Sequence, residues 1–174
     1  GKDNMLAGRP LVADLHVLYV WDAATGMRFM PAAEPEVYGL DADEAYDRAL
    51  ANYLRERNPV KVEEHAGVQV ARTADAYDAT LLLDEAFWRE RATELGEPIL
   101  AAVPARDSVL FVGRSGEQAL RNLVEQVSAS GDHLISRTLL EWTDAGWRAY
   151  ATAPPPPYRK IEQLPPAGSQ PATN

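Results

Sequence analysis

Between residues 11 and 21 apolar side chains recur every second position. Leu11, Ala13, Leu15, Val17 and Tyr19 fall on one face, and Val12, Asp14, His16, Leu18 and Val20 on the other. A period of two over this length predicts one strand, buried on its first face and mostly buried on its second. Residues 22–26 (DAATG) then make a hairpin loop in which Gly26 can supply a positive φ, and residues 27–30 return as the partner strand. Residues 31–40 hold two prolines and no period, and are expected to be loop.

From Asp41 the period changes to that of a helix. Tyr46, Ala49, Leu50, Tyr53 and Leu54 share a stripe, Asp41 with Glu44 has the spacing of a capping box, and Asn58-Pro59 stops the run. Residues 60–73 and 77–83 read as a second strand pair around residues 74–76. Asp84 caps a second helix with the stripe Phe87, Trp88, Ala92 and Leu95, closed by Gly96 and Pro98. Residues 99–103 and 108–112 form a third pair around residues 104–107 (PARD). Ser115, with Gln118 three residues on, opens a third helix whose stripe is Ala119, Leu120, Leu123, Val124 and Val127, and Gly131 ends it. Residues 135–142 and 147–151 make the last hairpin around residues 143–146.

The expected fold is therefore α+β: antiparallel β-hairpins alternating with three amphipathic helices, ββα-ββα-ββα-ββ, with the helices packed on the sheet. The domain occupies residues 11–152, after an N-terminal extension of residues 1–10. Residues 153–174 are a proline-rich tail, since Pro154 to Pro157 run together and Pro165, Pro166 and Pro171 follow. Such a segment favours polyproline II and builds no core; it is expected to lie over the surface, the sharper alternative being a ligand for an aromatic groove. The first and last hairpins also look alike, LYVW before Met27-Arg28 and LLEW before Trp147-Arg148, which fits either a duplication or shared turn chemistry.

The chain has 174 residues, 26 acids against 17 bases, a net charge of −9 and no cysteine. That length supports a core without staples. The absence of cysteine excludes disulfides, thiolate metal sites and a cysteine nucleophile. Nucleic acid is not expected as a partner, because Arg55, Arg57 and Lys61, the densest bases, are offset by Glu56, Glu63 and Glu64. No apolar run is long enough to span a bilayer. The cytoplasm is the expected compartment, with a secreted or periplasmic one left open because the sequence opens on Gly1-Lys2 rather than Met.

Catalytic motifs are missing. His16, His65 and His133 stand far apart, so no zinc nucleus forms. His16 is expected to pack in the core, and His133 to sit near a helix C-terminus. Helix capping accounts for the acids of residues 41–44 without calcium. There is no phosphate loop and no GxSxG elbow. Four charged residues stand out. Arg106 and Asp107 carry opposite charges at a tight connection between apolar strands, suited to holding and orienting an anionic group or simply to making an Asx-type turn. Arg114, beside Gly113 and Gly116, precedes a helix N-terminus, and Asp84 is a further candidate for the same polar site. No cofactor is expected, and no residue is assigned as catalytic.

Four stretches resemble the YtpQ-like proteins, a bacterial family of unknown function: residues 11–20, 45–54 (AYDRALANYL), 77–88 (YDATLLLDEAFW) and 103–111 (VPARDSVLF). The likeness covers roughly residues 11–150. It implies that Arg106 and Asp107 belong to the common pattern, and that the chain is a shortened relative or a fragment, since members are longer. It implies no reaction.

The leading expectation is thus a non-catalytic binding or protein-interaction module. The alternative is a small-ligand sensor or enzyme with a polar site around Arg106 and Asp107. An immunity-like or inhibitory role toward a basic protein is a third, resting on small size and acidity. Oligomeric state is not legible.

Overall fold

The computed structural model of the chain describes residues 5–23, 26–74, 77–130 and 134–155. The proline-rich tail beyond Pro155, with Gly131 and His133, lies outside the described residues.

The elements in order are β1 (Gly8–Val12), β2 (Leu15–Leu18), β3 (Val20–Ala23), β4 (Gly26–Phe29), α1 (Glu34–Val37) and α2 (Ala42–Glu56). There follow β5 (Lys61–His65), β6 (Val68–Arg72), a 3-10 turn at Asp78–Leu83, α3 (Glu85–Leu95), β7 (Ile99–Ala105) and β8 (Ser108–Gly113). The described chain ends with α4 (Glu117–Ala129), β9 (Thr138–Thr143) and β10 (Gly146–Thr152). Six strands form one antiparallel sheet in the order β10-β9-β7-β8-β6-β5, and β1-β2 and β3-β4 are separate two-stranded ribbons. The class is α+β and sheet-dominated.

The central strands β7 and β8 are apolar at nearly every position because both faces of the sheet are covered. Ile99, Ala101, Val103, Val109 and Phe111 point to one side, where Phe87 and Trp88 of α3 pack with Trp142. Leu100, Ala102, Leu110 and Val112 point to the other, against Leu123 and Val127 of α4. The aromatic centre of the first side is a chain of edge-to-face contacts, Trp88 to Phe111 at 5.3 Å, Trp88 to Trp147 at 4.9 Å and Trp142 to Trp147 at 5.2 Å. The indole N–H groups of Trp88 and Trp147 are not left unpaired there, since they donate to the carbonyls of Leu81 (2.6 Å) and Leu82 (2.9 Å).

The first expected strand, residues 11–21, is broken twice. Ala13 takes a φ of 53° and turns the chain with Asp14, so Val12 pairs with Leu15 across a two-residue loop. Tyr19 then leaves the ribbon, its N–H donating to Ala7 O at 3.0 Å and its carbonyl accepting from Met30 N at 2.9 Å. The strand β1 begins at Gly8, inside the stretch read as an extension, and Ala7 is buried with Tyr19 and Ala45 in a small third core over α2. His16 consequently projects outward and is exposed, not packed in the core.

The second pair is also re-registered. The hairpin is β5-β6, closed by Ala66 (φ 54°) and Gly67 (φ 76°), two residues with the positive φ a tight hairpin turn demands. Residues 78–83 are not its strand: the buried Asp78 accepts from Thr73 N and Thr73 Oγ1, both at 2.7 Å, which coils the chain into a 3-10 turn and buries Leu81 and Leu82. Residues 34–37, expected as loop, form the short α1 with Pro35 in its first turn. Asp41 and Glu44 do make the capping box of α2, and Asp84 accepts from Phe87 N at 3.1 Å at the start of α3. At α4 the expected cap fails: Gly116 is the N-cap without a side-chain bond, and Ser115 N donates to Glu97 Oε2 at 2.6 Å. The strict ββα repeat is therefore not the fold, because an additional hairpin precedes α2 and the 3-10 turn stands where a strand was expected.

The two similar hairpins differ in register. Trp21 pairs with Arg28, two steps before the closing pair Ala23–Gly26, whereas Trp142 pairs with Trp147, one step before Thr143–Gly146. An offset of one puts the tryptophans on opposite faces relative to the turn, which favours shared turn chemistry over a duplication.

Candidate functional site

A two-stranded ribbon has too little surface to shield both of its faces. In β3-β4 this is plain. Val20 lies opposite Phe29 and Asp22 opposite Met27 on one face, and Trp21 lies opposite Arg28 on the other. Of the twelve large apolar residues exposed among the described residues, eight lie between Met5 and Tyr38. They include Trp21, Phe29, Val37 and Tyr38, the last two 79% and 57% exposed. This clustering, not the exposure of any one residue, sets the region apart from an ordinary surface.

Part of that surface is rigid. Glu34 takes both ends of the Arg28 guanidinium, Nη2 to Oε1 at 2.7 Å and Nη1 to Oε2 at 2.9 Å, and Oε1 also accepts from Trp21 Nε1 at 3.0 Å. The Arg28 hydrogen bonds hold the Glu34 carboxyl below the usual carboxylate range. With its N–H tied and its ring edge-on to Tyr38 at 5.5 Å, Trp21 has little rotamer freedom left to lose on contact with a partner. Beside this face an open groove of about 680 Å³ is lined by Met5, Leu6, Tyr19 and Leu40, with Glu36 and Asp41 also in its wall.

The four charged residues singled out in the sequence do not come together. Arg106 and Asp107 form the β7-β8 turn and are exposed, engaged through backbone groups: Arg106 O accepts from Ala79 N at 2.9 Å and Asp107 O from Arg72 Nη1 at 3.3 Å. Arg114 stands past the opposite end of β8, a whole strand or roughly 20 Å from Asp107. Asp84 is buried at the start of α3, where Arg57 Nη2 reaches its Oδ2 at 2.6 Å. Arg57 also lines a second open cleft, of about 490 Å³, with Val60, Phe87 and Arg91.

Arg114 instead meets Glu141, which sequence inspection passed over. Glu141 sits in β9 with its side chain 3% exposed, and it is clasped by Arg114 Nη1 at 2.6 Å and Arg148 Nε at 2.7 Å. The signal was available: Glu141 is the lone charge in the run LLEW, and Arg148 follows across a short hairpin. Among the described residues no group of three or more histidines and carboxylates is placed to hold a metal ion, and no helix is long and apolar enough to cross a membrane.

Comparison with known proteins gives a consistent set of bacterial relatives. The chain is 30% identical over 136 residues to a UPF0354 protein of Listeria monocytogenes serotype 4a, a match covering 72% of this chain and 51% of that protein. It is 30% identical, with the same coverage, to one from serovar 1/2a, and 29% identical over 140 residues to one from Listeria innocua, covering 74% and 52%. No family model matches the chain and no solved structure matches it. The chain spans about half the length of the curated relatives it matches, and it is similar to bacterial UPF0354 proteins, a name that states no activity.

Proposed function

We propose that this chain is a non-catalytic protein-interaction module whose contact surface is the apolar patch around Trp21, Val37 and Tyr38. The observation that carries the reading is the concentration of exposed large apolar residues between Met5 and Tyr38, with Trp21 fixed by Glu34 and Tyr38 as an anchor. Aromatic anchors held in place are the usual hot spots of protein interfaces. The partner segment is apolar at its centre and basic at its margin, because Glu36 and Asp41 line the adjoining groove and the chain carries a net charge of −9. We hold the proline-rich residues 153–174 to be an accessory contact, the cytoplasm to be the compartment, and the narrower likeness to the YtpQ-like family to be genuine. The stretches VPARDSVLF and YDATLLLDEAFW support that likeness.

The reading of Arg106 and Asp107 as a ligand-binding or enzymatic site is weaker. Both are exposed at their turn and are engaged through their backbone carbonyls, and among the described residues neither side chain has a hydrogen-bond or ion-pair partner to hold it in place.

Side-by-side capture tests the proposal, with wild-type chain and a Val37→Glu, Tyr38→Glu variant as baits in an extract of the source bacterium. A protein retained by the wild type and lost by the variant, at matching melting temperatures, is the expected result. Equal retention by both baits, or retention by neither, refutes it.

A further inference from the structure

On the α4 side of the sheet, the helix packs on β8, β7 and β6. At the neighbouring end of the sheet, in β9, lies Glu141, a carboxylate clasped by two arginines. Arg114 donates through Nη1 and Arg148 through Nε and Nη2, so both carboxylate oxygens are engaged. The arginines remain 48% and 63% exposed. One arginine would neutralise Glu141; the second leaves the cluster with a net charge of +1. Among the described residues no other carboxylate pairs with either guanidinium, and a guanidinium has five N–H donors, of which Glu141 takes only some. The exposed Tyr150 adds a ring, with the Arg114 guanidinium carbon 5.7 Å from its centroid.

We infer that Arg114, Arg148 and Tyr150 form a binding site for a monoanionic carboxylate borne on a flat apolar group, with Glu141 as the residue that positions both arginines. The charge matches: a carboxylate brings the cluster to zero, whereas a phosphate dianion overshoots. The geometry matches as well, since planar guanidiniums bind carboxylates through paired hydrogen bonds and stack against rings. Because Glu141 already fixes both guanidiniums, little side-chain freedom is lost when the ligand arrives. This site is separate from the N-terminal apolar face and stands or falls without it.

The test is a titration of the whole ¹⁵N-labelled chain with sodium benzoate, acetate or inorganic phosphate at constant ionic strength, following the arginine Nε–H signals. Benzoate should shift the Arg114 and Arg148 signals saturably and bind about tenfold more tightly than acetate. Arg148→Gln should abolish the saturation, and Tyr150→Ala, at an exposed position, should bring benzoate down to the level of acetate. A linear drift shared by all surface arginines overturns the inference. So does tighter binding of phosphate than of benzoate, or an unchanged benzoate preference in Tyr150→Ala.

Discussion

Ser136 Oγ donates to Asp14 Oδ1 at 2.8 Å across 122 residues of sequence. The same oxygen accepts from Thr138 Oγ1 at 3.0 Å. The turn of the β1-β2 ribbon is thereby fastened to the segment that leads into β9. Burial works to raise the Asp14 pKa, but the Ser136 and Thr138 hydroxyls outweigh it and hold the carboxyl below its ordinary value. A depressed carboxylate contributes stability that is present above its unfolded-state pKa and lost as pH falls through the folded one. Acid should therefore loosen this joint. Wild type should lose more stability than Asp14→Asn between neutral pH and the acid side of the carboxylate range, as measured by urea unfolding across pH. At neutral pH, Asp14→Ala should cost about 1 kcal/mol, the usual net worth of such hydrogen bonds.

Asp78 does comparable work where burial is nearly complete. Its carboxylate satisfies both the amide and the hydroxyl of Thr73, and both residues are buried. Asp78→Ala removes the acceptor shared by the Thr73 amide and hydroxyl, and with it the reason for residues 78–83 to coil. A loss of about 1–3 kcal/mol is expected for the lost bonds to a buried carboxylate, read as a lower denaturant midpoint at an unchanged slope.

These two aspartates mark the boundary of what sequence could tell. Residues 99–112 are legible because strands covered on both faces must be apolar throughout, and the stripe and capping box of α2 are equally explicit. The break at Ala13 is not, because alanine at positive φ carries no local signature and the alternation on either side runs straight through it. The run TLLL after Asp78 has the composition of a buried strand; a long-range demand from Thr73 makes it a 3-10 turn. The same holds at the candidate sites. Arg106 and Asp107 looked purposeful because opposite charges met at a turn, yet the chain directs them outward. The exposed patch around Trp21 could not be foreseen, since periodicity says which residues share a face but not whether anything covers it.

Ala66 offers a gain in stability. It holds φ 54° next to Gly67 at φ 76°, the backbone of a two-residue hairpin turn in which asparagine is the favoured first residue. Its side chain plays no part in the bond from Asn122 Nδ2, which goes to the Ala66 carbonyl at 2.7 Å. Ala66→Asn should relieve left-handed strain at no loss of contact. An increase of about 0.5–1 kcal/mol is expected, well within what a left-handed non-glycine residue costs, and a higher melting temperature would show it. An unchanged or lower melting temperature would mean the turn carries no strain.

Trp88 should be the costliest side chain to remove from the first core. It is fully buried, touches Phe87, Phe111 and Trp147 edge-on, and donates to Leu81 O. Trp88→Ala should destabilise the fold by about 3–5 kcal/mol. Trp88→Phe, which keeps a ring but leaves the Leu81 carbonyl without its indole partner, should cost appreciably less. If the two variants unfold at the same denaturant concentration, ring packing is not what Trp88 contributes.

Asp84 combines two roles that substitution can separate. Its Oδ1 caps α3 through Phe87 N, and its Oδ2 forms an ion pair with Arg57 at the end of α2. Asparagine can still cap but cannot pair, whereas alanine does neither. Asp84→Asn should therefore be milder than Asp84→Ala, the difference being about 1 kcal/mol for the lost cap. Arg57→Ala should be severe in its own right, because it leaves a carboxylate that is 4% exposed without its cation; about 3–5 kcal/mol is typical when one partner of a buried pair is removed. The decisive measurement is the double-mutant cycle. Once Asp84 is asparagine, the further change Arg57→Ala should cost little, since no buried charge remains to be stranded. If Arg57→Ala costs as much in the Asp84→Asn background as in the wild type, then Arg57 acts by packing its stem against Val60 and Phe87 in the cleft they share, and the ion pair joins α2 to α3 in geometry only.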